Sequence, residues 1–459
     1  MDEKKRQLFE QATIPKAVSV LVGPSIVSQI ITILYNMADI FFVGKLNNPD
    51  QVAAVSMAAP AMLLFPVMAN LLGLGGSGTA SRAMGAGKDE RAGDTACFCL
   101  YAALLTALVF AAAGLLFRNP ILRMLGTAKA PNAYLSDYFF WVFILGAIPS
   151  LLSLVLSHLI RADGAARLAG YVLSAGGILN LLLDPLFIFG LHMEVKGAAV
   201  ATFLSNIFTF SVFSLYLLRR RGSSFLSLVP TRLRNWKSVC PEVIRSGLPS
   251  MLQTLLAAVS NAMLNVLSGP YGSEAVAAFG IVKKLDQIPV NITIGISQGI
   301  VPLMAYNYSA HRPERMRGAL RWALLLSVGF SVLCTLCYEL FPAFFVGLFI
   351  REPVTVACGS RILRIMCLAT PLVGVGFVII TVFQATGFFW QGTLLSVMRR
   401  GILEIPIMLL ANRLQPLTGL AFGQPITEGI TMALSLALLY RYLIAGQKKS
   451  DRCGSKQND

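Results

Sequence analysis

Apolar runs of about twenty residues recur along the whole of this 459-residue chain. Twenty residues of helix cross a hydrocarbon core roughly 30 Å thick. In lipid the backbone of such a run is satisfied internally as a helix, so the repeating unit predicts an all-α polytopic membrane protein. Composition agrees. Charged residues make up 13% of the chain and hydrophobic ones 56%, against about 25% charged in soluble proteins. A soluble enzyme, a secreted disulfide scaffold and a disordered regulator are excluded on that ground. The net charge of +16 does not point to nucleic acid, because the Lys and Arg lie in loops between apolar runs, where they set topology.

The start, MDEKKRQLFEQATIPKAVSV, is basic, but its apolar run continues to Val43 and contains Asp39. It is read as a retained first helix and not as a removable signal. The eight cysteines fall as Cys97, Cys99, Cys240, Cys334, Cys337, Cys358, Cys367 and Cys453. The CxC and CxxC pairs lie inside apolar runs with no His beside them, so they are expected to be small packing residues and not metal ligands.

Apolar runs set against Gly, Pro and charge predict spans at 14–43, 51–78, 94–117, 133–158, 166–190 and 196–218, then at 242–268, 274–305, 319–346, 357–384, 390–411 and 418–444. The expected organisation is an amino-terminal six-helix lobe over 1–218, a cytoplasmic linker over 219–241, a carboxy-terminal six-helix lobe over 242–446 and a polar tail over 447–459. Lys and Arg are richest on the side that holds both termini, which the positive-inside rule makes cytoplasmic. The halves resemble each other. A shift of about 225 lays Asn36 on Asn261, Gly44 on Gly269, and Pro149 with RADG at 161–164 on Pro371 with QATG at 384–387. Six helices per half is an even number, so the halves form a parallel repeat, and a substrate is expected between the lobes.

An acid within a span is a functional candidate. Asp39, Asp184, Asp286, Glu404 and Glu428 qualify. In the first span Ser25, Ser28, Thr32, Tyr35 and Asp39 recur at steps of three and four, forming one polar stripe. Ser and Thr in such a stripe also serve as glue between helices, which explains Asp39 poorly. In the fifth span NLLLDP puts Asn180 and Asp184 on one face, and the sixth adds Thr202 and Asn206 at the same spacing. Two carboxylates, an amide and a hydroxyl suit a small hard cation; alternatively, two close carboxylates hold a proton. A cap for the Pro185 kink is the structural alternative for Asp184. The seventh span has Leu264 at the position matching Asp39, and otherwise neutral polar residues, among them Gln253 and Asn265. Coupling is therefore expected in the first lobe. Ser28, Thr32, Tyr35, Asn206, Gln253, Asn265 and Asp286 are candidates for lining a substrate cavity. Lys283, Lys284, Asp286, Arg399, Arg400 and Glu404 either pair with one another or line that cavity.

GLGGSG at 73–78 fits a dinucleotide fingerprint, but it ends an apolar span with no strand before it, so close helix packing is expected there. GAGKDE lacks the spacing of a phosphate loop. His158 is expected to be an interfacial residue near a helix end, and His192 and His311 to lie in loops.

With MADIFFVG around Asp39, GLGGSGTASRAMGAGKDERA after the second span, RADG at 161, NLLLDP at 180 and GAAVAT leading to Thr202, the chain resembles the multidrug and toxic compound extrusion (MATE) family, in its DinF-like branch. The resemblance covers all twelve spans. It implies a V-shaped pair of six-helix lobes, not an enzyme, that exports amphipathic, mostly cationic drugs in exchange for Na⁺ or H⁺ by rocking between lobes. It further implies a monomer in the bacterial cell membrane, in contact with lipid and with no cofactor beyond the coupling ion. By position, Asp39, Asn180, Asp184 and Thr202 look like the family's first-lobe cation site. Members of the NorM-like branch carry an acid in the seventh span, which this chain lacks. A flippase for lipid-linked saccharides from the same superfamily is the rival reading; it calls for an Arg-rich interior and commonly more spans. An intramembrane prenyl transferase would need DxxxD-type acid pairs, and none is present.

Overall fold

The computed structural model describes residues 7–46, 48–125, 133–220, 225–226 and 235–444. The tail 447–459, Cys453 and most of the proposed linker lie outside these residues. Helices fall on all twelve predicted spans: α1 (Ile14–Gly44), α2 (Asp50–Gly85), α3 (Asp89–Leu116), α4 (Ala133–Leu145 and Ala147–Ala162), α5 (Ala166–Gly190) and α6 (Glu194–Arg219). The second set is α7 (Trp236–Tyr271), α8 (Ser273–Ser309), α9 (Pro313–Leu340), α10 (Pro353–Cys367 and Thr370–Thr386), α11 (Phe389–Val397, Met398–Ile402 and Glu404–Leu414) and α12 (Thr418–Leu439 and Tyr440–Ile444).

Among the described residues, eight of these helices are long and apolar enough to cross a membrane, and ten are if each bent pair counts as one span. The two that fall short are α11 and α12. The first holds Arg399, Arg400 and Glu404 in and beside a π turn, and the second holds Gln424, Pro425 and Glu428. The two bent spans are the matched helices α4 and α10, kinked by 50° and 42°. Each breaks just ahead of the matched prolines, Pro149 and Pro371. A proline has no N–H for the carbonyl four residues back, and its ring crowds that carbonyl. Those carbonyls belong to Leu145 and Cys367, the last residues of the first segments. The Thr335 hydroxyl of α9 takes up the freed Cys367 carbonyl at 2.9 Å. Both helices then end on a glycine of the matched tetrapeptides, Gly164 at φ 80° and Gly387 at φ 86°, a backbone conformation that residues with a side chain adopt rarely.

The helices divide into two compact units: unit 1 is Met1–Met251 with Ile294–Ala319, and unit 2 is Leu252–Thr293 with Leu320–Asp459. In unit 1, α5 lies along α1 because glycines open its face. A Cβ at Gly170 would sit 2.5 Å from the Pro24 carbonyl oxygen, and one at Gly177 would sit 2.7 Å from Ile31 Cγ2. Gly176 gives the same access to Thr209 of α6. Glycines of GLGGSG also serve close packing: a Cβ at Gly75 would lie 2.5 Å from the Val243 carbonyl oxygen, and one at Gly76 would strike Cys99. Stacked phenylalanines Phe65, Phe143 and Phe139 fill the core behind them. The turn Gln7–Gln11 is pinned ahead of α1: Phe9 stacks on Tyr306 with centroids 5.3 Å apart, and Glu10 pairs with Arg312 at 3.0 Å.

Candidate functional site

The α1–α5–α6 packing decides which polar side chains meet in unit 1. Asn180 and Asp184, one turn apart on α5, are buried, at 3% and 0% exposure. Gly197 lets α6 come down on the Phe187 backbone at the end of α5, where a Cβ would be 2.8 Å from the Phe187 carbonyl carbon. That register brings Thr202 to Asn180, whose amide donates to the Thr202 hydroxyl at 3.3 Å. Asp39 and Tyr35 on α1 lie within electrostatic reach of one another, as do Asp39 and Asp184. Only the carboxy-terminal end of the stripe, Tyr35 and Asp39, therefore lies near NLLLDP; the Tyr35 ring is 3.2 Å from where a Cβ on Gly177 would sit.

Four oxygens at this place are buried without a hydrogen-bond partner: Asp39 Oδ1, Asn180 Oδ1 and both carboxylate oxygens of Asp184. Acceptors of this kind, taken from water with no donor, are strongly destabilising unless positive charge joins them. All are hard oxygen ligands, the type that protons and small hard cations take. Among the described residues no cluster of three or more His, Cys, Asp or Glu is placed to hold a metal. An ion here would rely on two carboxylates with an amide and a hydroxyl.

One member was not found from the sequence. Tyr138 of α4 is buried and shares the electrostatic neighbourhood of Asp39, Asp184 and Tyr35. A tyrosine inside YLSDYFF carries no periodic signal that separates it from packing aromatics.

Other candidates take different partners. Asn206 donates to Ser150 of α4 at 2.9 Å. Ser28 and Thr32 donate to carbonyls of their own helix at 2.8 Å each. Arg161 of RADG is buried and reaches α1, its Nε donating to Ser25 at 3.1 Å beside Pro24 and its Nη1 to Ser157 at 3.2 Å. His158 differs from the interfacial expectation. It is 5% exposed and lies against Gly73, where a Cβ would be 2.8 Å from its ring, and its Nδ1 has no partner.

Unit 2 draws its charges together. Arg399 Nε donates to Glu428 at 2.7 Å and lies over the Phe377 ring at 4.5 Å. Arg400 pairs with Glu404 at 3.1 Å. Lys283 donates to the Gln424 carbonyl at 2.8 Å, and the Gln424 amide donates to Asp286 at 3.1 Å. Ion pairs are thus present at Arg399, Arg400 and Glu404; Lys283 and Asp286 are joined through Gln424, and Lys284 is exposed. Gln253 is buried with its amide nitrogen unpartnered, and Asn265 is exposed.

Buried acids without a hydrogen-bond partner inside membrane-spanning helices, carried by a chain of two repeated six-helix halves, are features of a membrane transporter. The chain belongs to the MatE family, whose sequence model matches residues 24–186 and 249–410. Those stretches begin 225 residues apart, the shift at which the halves repeat. The multidrug export protein MepA of Staphylococcus haemolyticus is 29% identical over 96% of this chain and 96% of its own; that of Staphylococcus aureus strain MRSA252 is 27% identical over the same shares. The fold is that of a crystal structure of MATE in complex with MaL6, with a TM-score of 0.91, 22% identity, and coverage of 98% of this chain and 100% of the other. The family is one of transporters and not of enzymes.

Proposed function

We propose that the chain is a secondary active multidrug exporter that expels amphipathic, mostly cationic compounds in exchange for an inward-moving Na⁺ or H⁺ held by Asp39, Asn180, Asp184 and Thr202. The observation that carries this reading is the group of four buried, unpartnered oxygens in unit 1. Full-length similarity to proteins named as multidrug exporters supports the substrate class. Ser28, Thr32, Tyr35, Asn206, Gln253, Asn265 and Asp286 line the substrate cavity in this reading. The protein works as a monomer in the bacterial cell membrane, surrounded by lipid, with both termini cytoplasmic, without a nucleic-acid partner and without a cofactor beyond the ion.

The mechanism is alternating access. An ion at Asp39 and Asp184 cancels one of the two carboxylate charges and favours one packing of α1, and the drug favours the other, so the two compete. Linkage makes this reciprocal: ion weakens drug binding by the factor by which drug weakens ion binding. Inward return of one charge contributes about 2.3 kcal/mol per 100 mV, enough to sustain a roughly 50-fold outward gradient of a neutral drug at about 1.4 kcal/mol per tenfold. The test is efflux of a cationic dye from liposomes under separate Na⁺ and pH gradients. Efflux that ignores both gradients overturns the antiport reading and favours the flippase for lipid-linked saccharides.

A further inference from the structure

Two glycines align unit 2 with unit 1. Gly197 admits α6 onto α5, and Gly419 admits α12 onto α11, where a Cβ would strike the Ala411 carbonyl. Counted from them, Thr202 and Gln424 each stand five residues on, and Asn206 and Glu428 each nine. On the partner helices, α5 carries Asn180 and Asp184 one turn apart, five and one residues ahead of Pro185, and α11 carries Arg400 and Glu404 one turn apart, six and two residues ahead of Pro406. Where unit 1 offers an amide, unit 2 offers a guanidinium one residue earlier against the proline.

That guanidinium donates to both Glu404 oxygens, at 3.1 and 3.2 Å, and lies 4.0 Å from Glu428 Oε1. Around it stand Arg399 beside Glu428, Lys283 and Asp286 on α8, and Ser260 of α7 beside Glu404. Three cations face three carboxylates, so the cluster is neutral. In unit 1 neither Asp39 nor Asp184 has a cation within ion-pair distance among the described residues. The unit 2 cluster retains one buried acceptor without a partner, Asp286 Oδ1, beside three unpartnered donors, Arg399 Nη1 and Nη2 and Arg400 Nε.

We propose that unit 2 holds a cation site permanently filled by the chain's own Arg400, so that the protein takes up one coupling ion, in unit 1, and that Arg400→Asn opens the second site to a free monovalent cation. The proposal deepens the exporter reading and rests on it for the unit 1 ion. Withdrawing the guanidinium leaves the cluster one positive charge short, with Ser260 and Lys283 the groups remaining near Glu404, which destabilises the fold unless an ion replaces it. Binding to the folded state alone then appears as ion-dependent stability.

The experiment measures bound radioactive Na⁺ and proton uptake per chain, with melting temperature, on full-length protein in detergent. The two assays distinguish the ions. The expected stoichiometry is one ion for the wild type, none for Asp184→Asn, two for Arg400→Asn, one for Arg400→Asn/Asp184→Asn and one for Arg400→Lys, which keeps the built-in charge. The melting temperature of Arg400→Asn should rise with Na⁺ or with falling pH more steeply than that of the wild type, and Arg400→Asn/Glu404→Gln should lose the extra dependence. One ion still bound by Asp184→Asn, or one ion only in Arg400→Asn, overturns the proposal. So does an Arg400→Asn protein that folds under no ionic condition, since a free cation then cannot stand in for the guanidinium. A wild type that binds no ion, with one bound by Arg400→Asn, overturns the unit 1 coupling site and supports the filled site of unit 2.

Discussion

Asn180 spends an amide hydrogen on the hydroxyl of Thr202, and its carbonyl oxygen is left buried without a donor. The bond fixes which end of the amide is an acceptor. Thr202→Val removes the bond and one oxygen ligand. Because a metal ion needs the hydroxyl more than a carboxylate's proton does, Na⁺-driven dye efflux should fall more than proton-driven efflux, measured side by side in liposomes. Equal losses would argue against a metal ion at this place.

Asp39→Asn and Asp184→Asn each remove half of the site's negative charge. Ion-driven export should be abolished in both, with folded protein still made, because an amide replaces a carboxylate at nearly constant volume. Export at the wild-type rate by either variant would remove that residue from the coupling site.

Close packing of α1 on α5 is set by backbone and not by side-chain choice. At Gly170 an added methyl would meet the carbonyl oxygen and carbon of Pro24, atoms that cannot rotate away. Gly170→Ala should therefore destabilise the protein by about 1–3 kcal/mol, the usual range for overpacking, seen as a lower melting temperature in detergent. Gly329→Ala, where nothing lies within 4 Å of the added atom, is the control and should melt as the wild type does.

Gln253 and Asn265 are neutral, so they shape or hydrogen-bond a cavity without binding the coupling ion. Gln253→Ala and Asn265→Ala should change the rank order of exported dyes while leaving dependence on the Na⁺ and pH gradients intact. A folded variant that loses all ion dependence would contradict the division of labour.

Removing Arg399 should leave Glu428 without its 2.7 Å partner in a buried setting. Loss of one member of a buried pair destabilises by roughly 3–5 kcal/mol, so Arg399→Met should melt well below the wild type. Arg399→Met/Glu428→Leu should recover much of the loss, since replacing both members by apolar residues is often neutral.

Periodicity marks the helix faces that carry the unit 1 acids. Asn180 and Asp184, like Thr202 and Asn206, stand four residues apart, and Asp39 ends a stripe of three- and four-residue steps, so the face of each helix can be read directly. Tyr138 was not legible, because an aromatic in an apolar run looks the same whether it packs or touches a carboxylate. The charges of α11 and α12 were visible but not their pairing. Arg399 and Glu428 are 29 residues apart, and the close approaches of Gly419 to Ala411 and of Gly423 to Met408 set the register that joins them. The kinks in α4 and α10 were written in Pro149 and Pro371; the span boundaries read from hydropathy alone run straight through them.

The low apolarity of α11 and α12 bears on biosynthesis. An Arg at the centre of an inserting helix disfavours integration by about 2.5–3.5 kcal/mol, and α11 carries two in adjacent positions together with Glu404. The neutralising carboxylate of Glu428 is translated later, on α12, so α11 has no full set of counter-charges when it leaves the ribosome. The final pair of helices must enter the bilayer together, as a hairpin, against helices already inserted. A chain stopped just after Leu414 would be left with its last segment outside the membrane, where quality-control proteases could recognise it.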